Sequence, residues 1–481
     1  MAAIIPLKRV VSPSVGEAID RDFQRLHRIS RERPAPTAAE REETLGRLHQ
    51  GLRSRKEEFV RAIDADFGHR SRHETLLGEV FLVLQGIQHS RRHLRTWMRP
   101  QRRRTSLPFL PARSEVRFQP KGLVGVISPW NYPLQLSLLP VASALAAGNR
   151  VMLKPSELTP ATSALLADFL RSTLGPETVA VVTGGPEVGA RFASLAFDHL
   201  LYTGSTQVGR LVMRAAAENL TPVTLELGGK SPAIVHRDYP LHHAAQRIAA
   251  GKFFNAGQTC IAPDYVLAPR ERVEAVAQAI CEAVESSYPS LATNPDYTAI
   301  INERHRARLQ GYLDDARDKG ARLCEVNPAH ESFDEQGHKL APHILVDVTD
   351  DMAVMQEEIF GPILPIVAYD RLQDAIRYVN ERPRPLSLYY FDRDERRVDR
   401  VLQGTVAGGT TVNDTILHVG QDDLPFGGVG PSGMGAYHGR EGFETFSHKR
   451  GVLHQSRLNA AKLLSPPYGR AVETLLRVLL R

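Results

Sequence analysis

The feature that most restricts the fold is a regular alternation, between Gly122 and Leu227, of short apolar runs with segments of helical length. LVGVIS (123–128) precedes a helical stretch over Leu134–Ala147, and VMLKPS (151–156) precedes another near Ala161–Leu170. The pattern continues through TVAVVTG (178–184), Val188–Leu195, HLLYTGS (199–205), Val208–Ala217 and VTLEL (223–227). Parallel strands need long crossovers, usually helical, and strands that are apolar throughout are covered on both faces. The stretch therefore predicts a doubly wound parallel sheet of nucleotide-binding type.

A second α/β stretch runs from Ser231 to about Thr415, with PAIVHR, DYVLAP, a helical Val273–Val284, HILVDV and PILPIVAYD. Ahead of both, Pro36–Leu94 carries Leu45, Leu48, Leu52, Phe59 and Ile63 at helical spacing. A length of 481 residues suits about three domains. No window approaches the ~20 apolar residues of a membrane span, so the chain reads as soluble. Three cysteines outside any CxxC pattern fit a reducing cytoplasm. The opening MAAIIPLKRV has too short an apolar run for a secretory signal and reads as a mobile tail.

The chemistry concentrates at strand ends. Cys260 follows Gly257, Gln258 and Thr259, which break the periodic pattern and suggest a turn that presents the thiol. A single cysteine is ordinarily a small buried hydrophobe, the reading given to Cys281 and Cys324. Cys260 leaves that class through its company. Asn131, in SPWNYPL (128–134), sits where a strand turns into a helix opened by Pro133; its amide can cap the turn or donate to a developing oxyanion. Glu226 lies near the end of an apolar strand just before Gly228 and Gly229, where a carboxylate is costly unless it is paired or acts as a base. GGKS (228–231) imitates a phosphate-binding loop, but the required first glycine falls on Thr224 and that reading fails.

Gly204 and Ser205, between a strand and a helix, can offer backbone N–H groups to a pyrophosphate. Lys154 and Glu157 close another strand as a cation and an anion suited to ribose hydroxyls, and Glu358 beside Phe360 is a second candidate for a ribose diol. Each of these charges also suits a solvated surface. PFGGVGPSGMG (425–435) is too rich in glycine for a core element and suggests a close-fitting loop. His69 and His73, four apart on an expected helix, have no third ligand and no HExxH, so no metal is expected.

PWNYP, KPSE, YTGSTQVG, LELGGKSP, GQTC, EEIFGP and PFGGVGPSGMG occur here in one order. With them the chain resembles the aldehyde dehydrogenase superfamily from about Thr37 to Arg450. NAGQTCIAPDYV and GMGAYHGREGFETFSHKR are similar to its class 3 branch, which includes fatty-aldehyde, benzaldehyde and coniferyl-aldehyde enzymes, and the SPPYGR tail is similar to bacterial coniferyl-type members. The resemblance implies an α/β fold with an NAD(P)-binding domain (1–99 and 122–227), a catalytic domain (228–415) and a small β bridging element (100–121 and 416–455). Residues 456–481 remain as an amphipathic tail. It implies oxidation of an aldehyde to the acid, with Cys260 as nucleophile, Asn131 and the Cys260 N–H as oxyanion hole, and Glu226 as the base that activates the deacylating water. Lys154 and Glu157 would hold the adenosine ribose of NAD, or of NADP, Ser205 with the helix start after Gly204 the pyrophosphate, and Glu358 with Phe360 the nicotinamide ribose. A homodimer follows from the bridging element.

Two rival readings stand beside this one. Coenzyme A could replace water as acyl acceptor, against which Glu226 argues, or the chain could be a non-catalytic relative. The arginines between Arg91 and Arg104 could bind nucleic acid, but Pro100 and Pro108 break the run and a solvated face explains it, so none is expected. RAVETLLRVLLR (470–481) is amphipathic and too short to span a bilayer. It packs on the protein or a partner, or touches a membrane surface.

Overall fold

The computed structural model describes residues 12–333, 338–459 and 465–480; the tail expected over residues 1–10 lies outside them. The apolar runs between Gly122 and Leu227 form five parallel strands, in the order Val223–Glu226, His199–Thr203, Leu123–Ile127, Arg150–Lys154, Val179–Val181. The winding reverses beside Leu123–Ile127, so the switch point lies at the carboxyl ends of that strand and of His199–Thr203, where ligands of such sheets collect. Burial on both faces follows from the packing. Val124 and Val126 join a core with Leu138 and Val141 of the helix Gln135–Ala146, while Leu123 and Ile127 join another with Ile19, Leu26 and Phe192 from the helices Pro13–Glu32 and Pro186–Ala193.

The second stretch forms a seven-stranded sheet in the order Arg322–Glu325, His343–Val346, Ile363–Tyr369, Tyr265–Pro269, Pro232–Val235, Ser387–Phe391, Gly409–Val412. All its pairings are parallel except that of the edge strand Arg322–Glu325. A third sheet sets Arg113–Pro120 between Gln101–Arg103 and Ser447–His454, both antiparallel to it. The bridging stretch 416–455 is not one element, however. Gly433 and Met434 pair with Glu226 and Leu225 at the edge of the first sheet, and the helix Gly439–Thr445 packs on Gln135–Ala146. Within it Ser447–His454 pairs with the 100–121 hairpin and Phe443 packs on Phe118, while the glycine-rich loop lets the backbone lie directly against the Glu226 strand.

Among the N-terminal helices, Ala38–Phe67 begins at Thr37 with a reciprocal capping box to Glu40. His69 sits in the turn after that helix and His73 within Arg72–Thr75, so the two do not share a helix; they face Asp64 and Asp296 instead. A π-helical turn, Leu76–Phe81, leads into Leu82–Trp97. The amphipathic C-terminal segment is helical over Arg470–Leu479 with no buried residue, so the expected packing on the protein's own surface is not formed; Arg481 lies outside the described residues. Among the described residues no helix is long and apolar enough to cross a membrane.

Candidate active site

The helix Leu241–Phe253 stops at a turn in which Asn255, Ala256 and Gly257 have φ of +54°, +49° and +74°. A left-handed residue other than glycine costs roughly 1–2 kcal/mol and persists only when its surroundings enforce it. The enforcing group is Gln258, fully buried, whose Nε2 donates to the carbonyls of Asn255 and Ala299 while its Oε1 accepts from Ile301 N–H. Gly257 admits no side chain: a Cβ there would stand 2.3 Å from the Gly361 carbonyl oxygen. The turn therefore delivers Cys260 to the cavity on a rigid support.

Asn131 meets that turn from the switch point of the first sheet. Its Nδ2 donates to the Gln258 carbonyl (3.2 Å), and the second N–H of that amide has no partner among the described residues. Its own carbonyl accepts from Asn255 Nδ2 (3.1 Å) and from Arg70 Nη1 (2.9 Å). Arg70 is buried against Glu79 (3.7 Å) and over the rings of Phe67 and Tyr132. Glu79 Oε2 in turn accepts from the Leu134 and Gln135 N–H groups that open the helix after Asn131. Burial lifts the Glu79 carboxyl to about 6, against the pull of Arg70 and the two N–H groups. This support was absent from the sequence reading; its only sequence signal is two charges on a stretch that the structure buries.

Glu226 ends its strand between Thr203 and Gly433. Both its carboxyl oxygens are buried without a hydrogen-bond partner, and burial alone pushes its protonation well above the usual carboxylate range. Cys260 is pushed up to about 12, first by burial and then by Glu358 and Glu226. Glu358 is raised to about 8, by burial and then by the charge of Asp264. Its loop is held by Lys230, which pairs with Asp264 and donates to the Val354 and Glu357 carbonyls, and by Arg308, which donates to the Ile359 carbonyl. Phe360 takes a φ of +51° and packs edge-on against Trp130.

Seven of the nine residues singled out from sequence line one cavity of about 240 Å³: Asn131, Gly204, Ser205, Glu226, Cys260, Glu358 and Phe360. Leu136, Phe426, Tyr437, His305 and Arg308, not singled out from sequence, are also part of its wall. The other two lie elsewhere. Lys154 Nζ bonds Glu157 Oε2 at 2.7 Å, and Glu157 lines a neighbouring groove of about 810 Å³ with Ser156, Thr183 and Gly184. Ser205 Oγ accepts from Val208 N–H and so caps the helix Thr206–Ala217. These residues fit a dinucleotide. Glu358 Oε1 is a buried acceptor with no partner, the first turn of a helix faces the cavity at Gly204, and a cation–carboxylate pair closes the next strand.

The profile of the aldehyde dehydrogenase family matches residues 15–452. A probable coniferyl aldehyde dehydrogenase of Pseudomonas aeruginosa is 56% identical over 92% of this chain and 92% of its own length. Aldehyde dehydrogenase family 3 member A2 of Mus musculus is 43% identical over 90% of this chain and 87% of its own. The substrate-bound structure of Staphylococcus aureus AldH superposes with a TM-score of 0.90 at 36% identity, covering 96% of this chain and 99% of that one. A Mycobacterium tuberculosis aldehyde dehydrogenase complexed with NAD+ gives 0.82 at 31%, covering 91% and 90%. The chain belongs to the aldehyde dehydrogenase family, and is an oxidoreductase that oxidises aldehydes with NAD(P).

Proposed function

We propose that this enzyme oxidises an aromatic or cinnamyl-type aldehyde to its carboxylic acid through a thiohemiacetal, then a thioester, on Cys260. The observation that carries the reading is the Glu226 carboxyl, which has two buried unpartnered oxygens and opens on the same cavity as Cys260. Burial and the nearby Glu358 and Glu226 carboxyls disfavour the Cys260 thiolate, so Glu226 must accept the proton, or a positive charge must stabilise the thiolate, as the sulfur attacks. The attack leaves an alkoxide, which the free N–H of Asn131 and the Cys260 backbone N–H receive. NAD(P), when bound, supplies the hydride acceptor and, through its positive ring, a charge that favours the thiolate. Glu226, once that first proton has passed to solvent, takes a proton from the water that hydrolyses the thioester.

In this reading the first sheet carries the cofactor and the seven-stranded sheet the nucleophile. Lys154 and Glu157 hold the adenosine ribose, Ser205 and the helix start the pyrophosphate, and Glu358 with Phe360 the nicotinamide ribose. The outer strands of the three-stranded sheet, Gln101–Arg103 and Ser447–His454, are the edges through which two chains would join as a homodimer. The aromatic and apolar wall of Trp130, Leu136, Phe426 and Tyr437, and the name of the Pseudomonas aeruginosa relative, support a planar aromatic substrate. The test is stopped-flow NADH absorbance with coniferyl, benzyl and aliphatic aldehydes. Cys260→Ala should give no turnover, and Glu226→Gln one burst per chain followed by turnover about 10²–10⁴-fold slower. Normal turnover by Cys260→Ala refutes the reading.

A further inference from the structure

Two cysteines stand apart from the aldehyde site. Cys281 is buried on the helix Val273–Ser287, and Cys324 is exposed on Arg322–Glu325, the edge strand of the seven-stranded sheet. The expectation that both are buried hydrophobes holds for Cys281 alone. Their Sγ atoms lie 3.4 Å apart, across a chain separation of 43 residues. Both sulfurs ride on rigid supports. Cys324 pairs with Ile344 in the sheet, and Ile344 shares a core cluster with Cys281, Ile280 and Val284. Among the described residues no group of three or more His, Cys, Asp or Glu could hold a metal ion, so the pair is not part of such a site.

We propose that Cys281 and Cys324 form a reversible oxidation site, at which a peroxide converts the two thiols into a disulfide that ties the helix to the edge strand. The exposed Cys324 meets the oxidant first. Its sulfur attacks one peroxide oxygen, the O–O bond breaks, and the departing oxygen leaves as water with the thiol proton, so that Cys324 holds a sulfenic acid. The Cys281 sulfur then attacks the Cys324 sulfur; the S–O bond breaks and the oxygen leaves as a second water with the Cys281 proton. The sulfurs together lose two electrons and hydrogen peroxide gains them. Cys281, buried and 3.4 Å from Cys324, is the thiol placed to take the resolving role. A disulfide has an S–S length of about 2.05 Å, so the sulfurs must close by about 1.4 Å, which rotation about the exposed Cys324 Cα–Cβ bond can supply.

The bond would close a long loop and so restrict the unfolded chain, raising the melting temperature of the oxidised protein. The experiment treats the full-length protein with a small excess of hydrogen peroxide, alkylates the remaining thiols, and reads intact mass and non-reducing peptide maps. The expected result is a mass loss of two hydrogens, a peptide joining Cys281 to Cys324, and Cys260 recovered as an alkylated thiol. Dithiothreitol should reverse the change, and the melting temperature should rise in the wild type but not in Cys324→Ser or Cys281→Ser. Three free thiols after treatment, over-oxidation of Cys324 without a cross-link, or a bond that includes Cys260 would each overturn the proposal. None of these readouts depends on the aldehyde reaction.

Discussion

The sharpest separation of folding from function comes from Gly228→Ala. A Cβ at this position would lie 2.1 Å from Glu358 Oε2 and 2.5 Å from its Cδ and Oε1. To reach ordinary contact at 3.4 Å the carboxyl must retreat by about 1.3 Å, enough to break hydrogen bonds that tolerate only a few tenths. The obstructing atoms are the far end of a flexible side chain, and Gly228 does not have a positive φ, so the backbone is not strained. Stability should therefore change by less than about 1 kcal/mol, as for substitutions without a named destabilising mechanism. If Glu358 holds a ribose diol, losing that bond costs about 1–3 kcal/mol, or roughly a 5- to 150-fold higher Kd for NAD(P). Isothermal titration with NAD and NADP reads the affinity, and thermal unfolding of the free protein serves as control. Glu358→Gln alone should weaken binding comparably, and the double variant should lose no more than the worse single, because both act on one contact. Wild-type affinity in Gly228→Ala, or losses that add, would refute the role of Glu358.

Three further predictions follow from the buried charges. Alkylation of Cys260 by iodoacetamide in the cofactor-free enzyme, followed by peptide mapping, should accelerate about tenfold per pH unit from pH 7 to 10, since its thiol is pushed up to about 12; a plateau near pH 8 would contradict this. Glu358 is raised to about 8 in the folded state, so its contribution is fully present below its unfolded value near 4.5 and is lost as pH climbs to about 8. Glu358→Gln should thus melt higher than the wild type at pH 8 by an amount on the order of 4 kcal/mol or less, and show no gain at pH 4. Arg70→Met leaves Glu79 buried without its counter-charge, which costs about 3–5 kcal/mol, and frees the Asn131 carbonyl. Calorimetry should show the loss, and kcat should fall more than KM rises.

The first sheet was legible because its parallel strands are short, mostly apolar runs separated by helical segments, and Asn131 and Glu226 were legible because each closes or follows such a run. What escaped depends on contacts between distant segments. Asn255, Ala256 and Phe360 take left-handed backbones that their side chains do not favour, and only Gln258 and the neighbouring loops hold them there. Arg70 and Glu79 were not singled out from sequence, yet both are buried, because their partners are an asparagine carbonyl and a helix terminus some 60 residues away. Gly433 was grouped with the bridging element because spacing says nothing about which sheet edge a glycine-rich loop will meet. Cys324 was read as a small buried hydrophobe because a single cysteine ordinarily is one, and it lies instead on an exposed edge strand.

The burial of the groups that line the cavity explains two properties that oppose each other. Excluding water strengthens the hydrogen bond that Asn131 can give to an oxyanion, because the local dielectric is low. Burial is the first cause of the raised protonation of Glu226, Glu358 and Cys260, so the charged forms of the thiol and of both carboxyls are disfavoured together. A wetter site would release the thiolate more easily and stabilise the alkoxide less. Ionisation must then come from the charge of what enters the cavity, which ties reactivity of the sulfur to occupancy. A neutral thiol is also the form that peroxides attack slowly. On that account the cysteine that oxidants reach first is the outward-facing Cys324, on the edge strand of the seven-stranded sheet, while the raised protonation of Cys260 slows its oxidation.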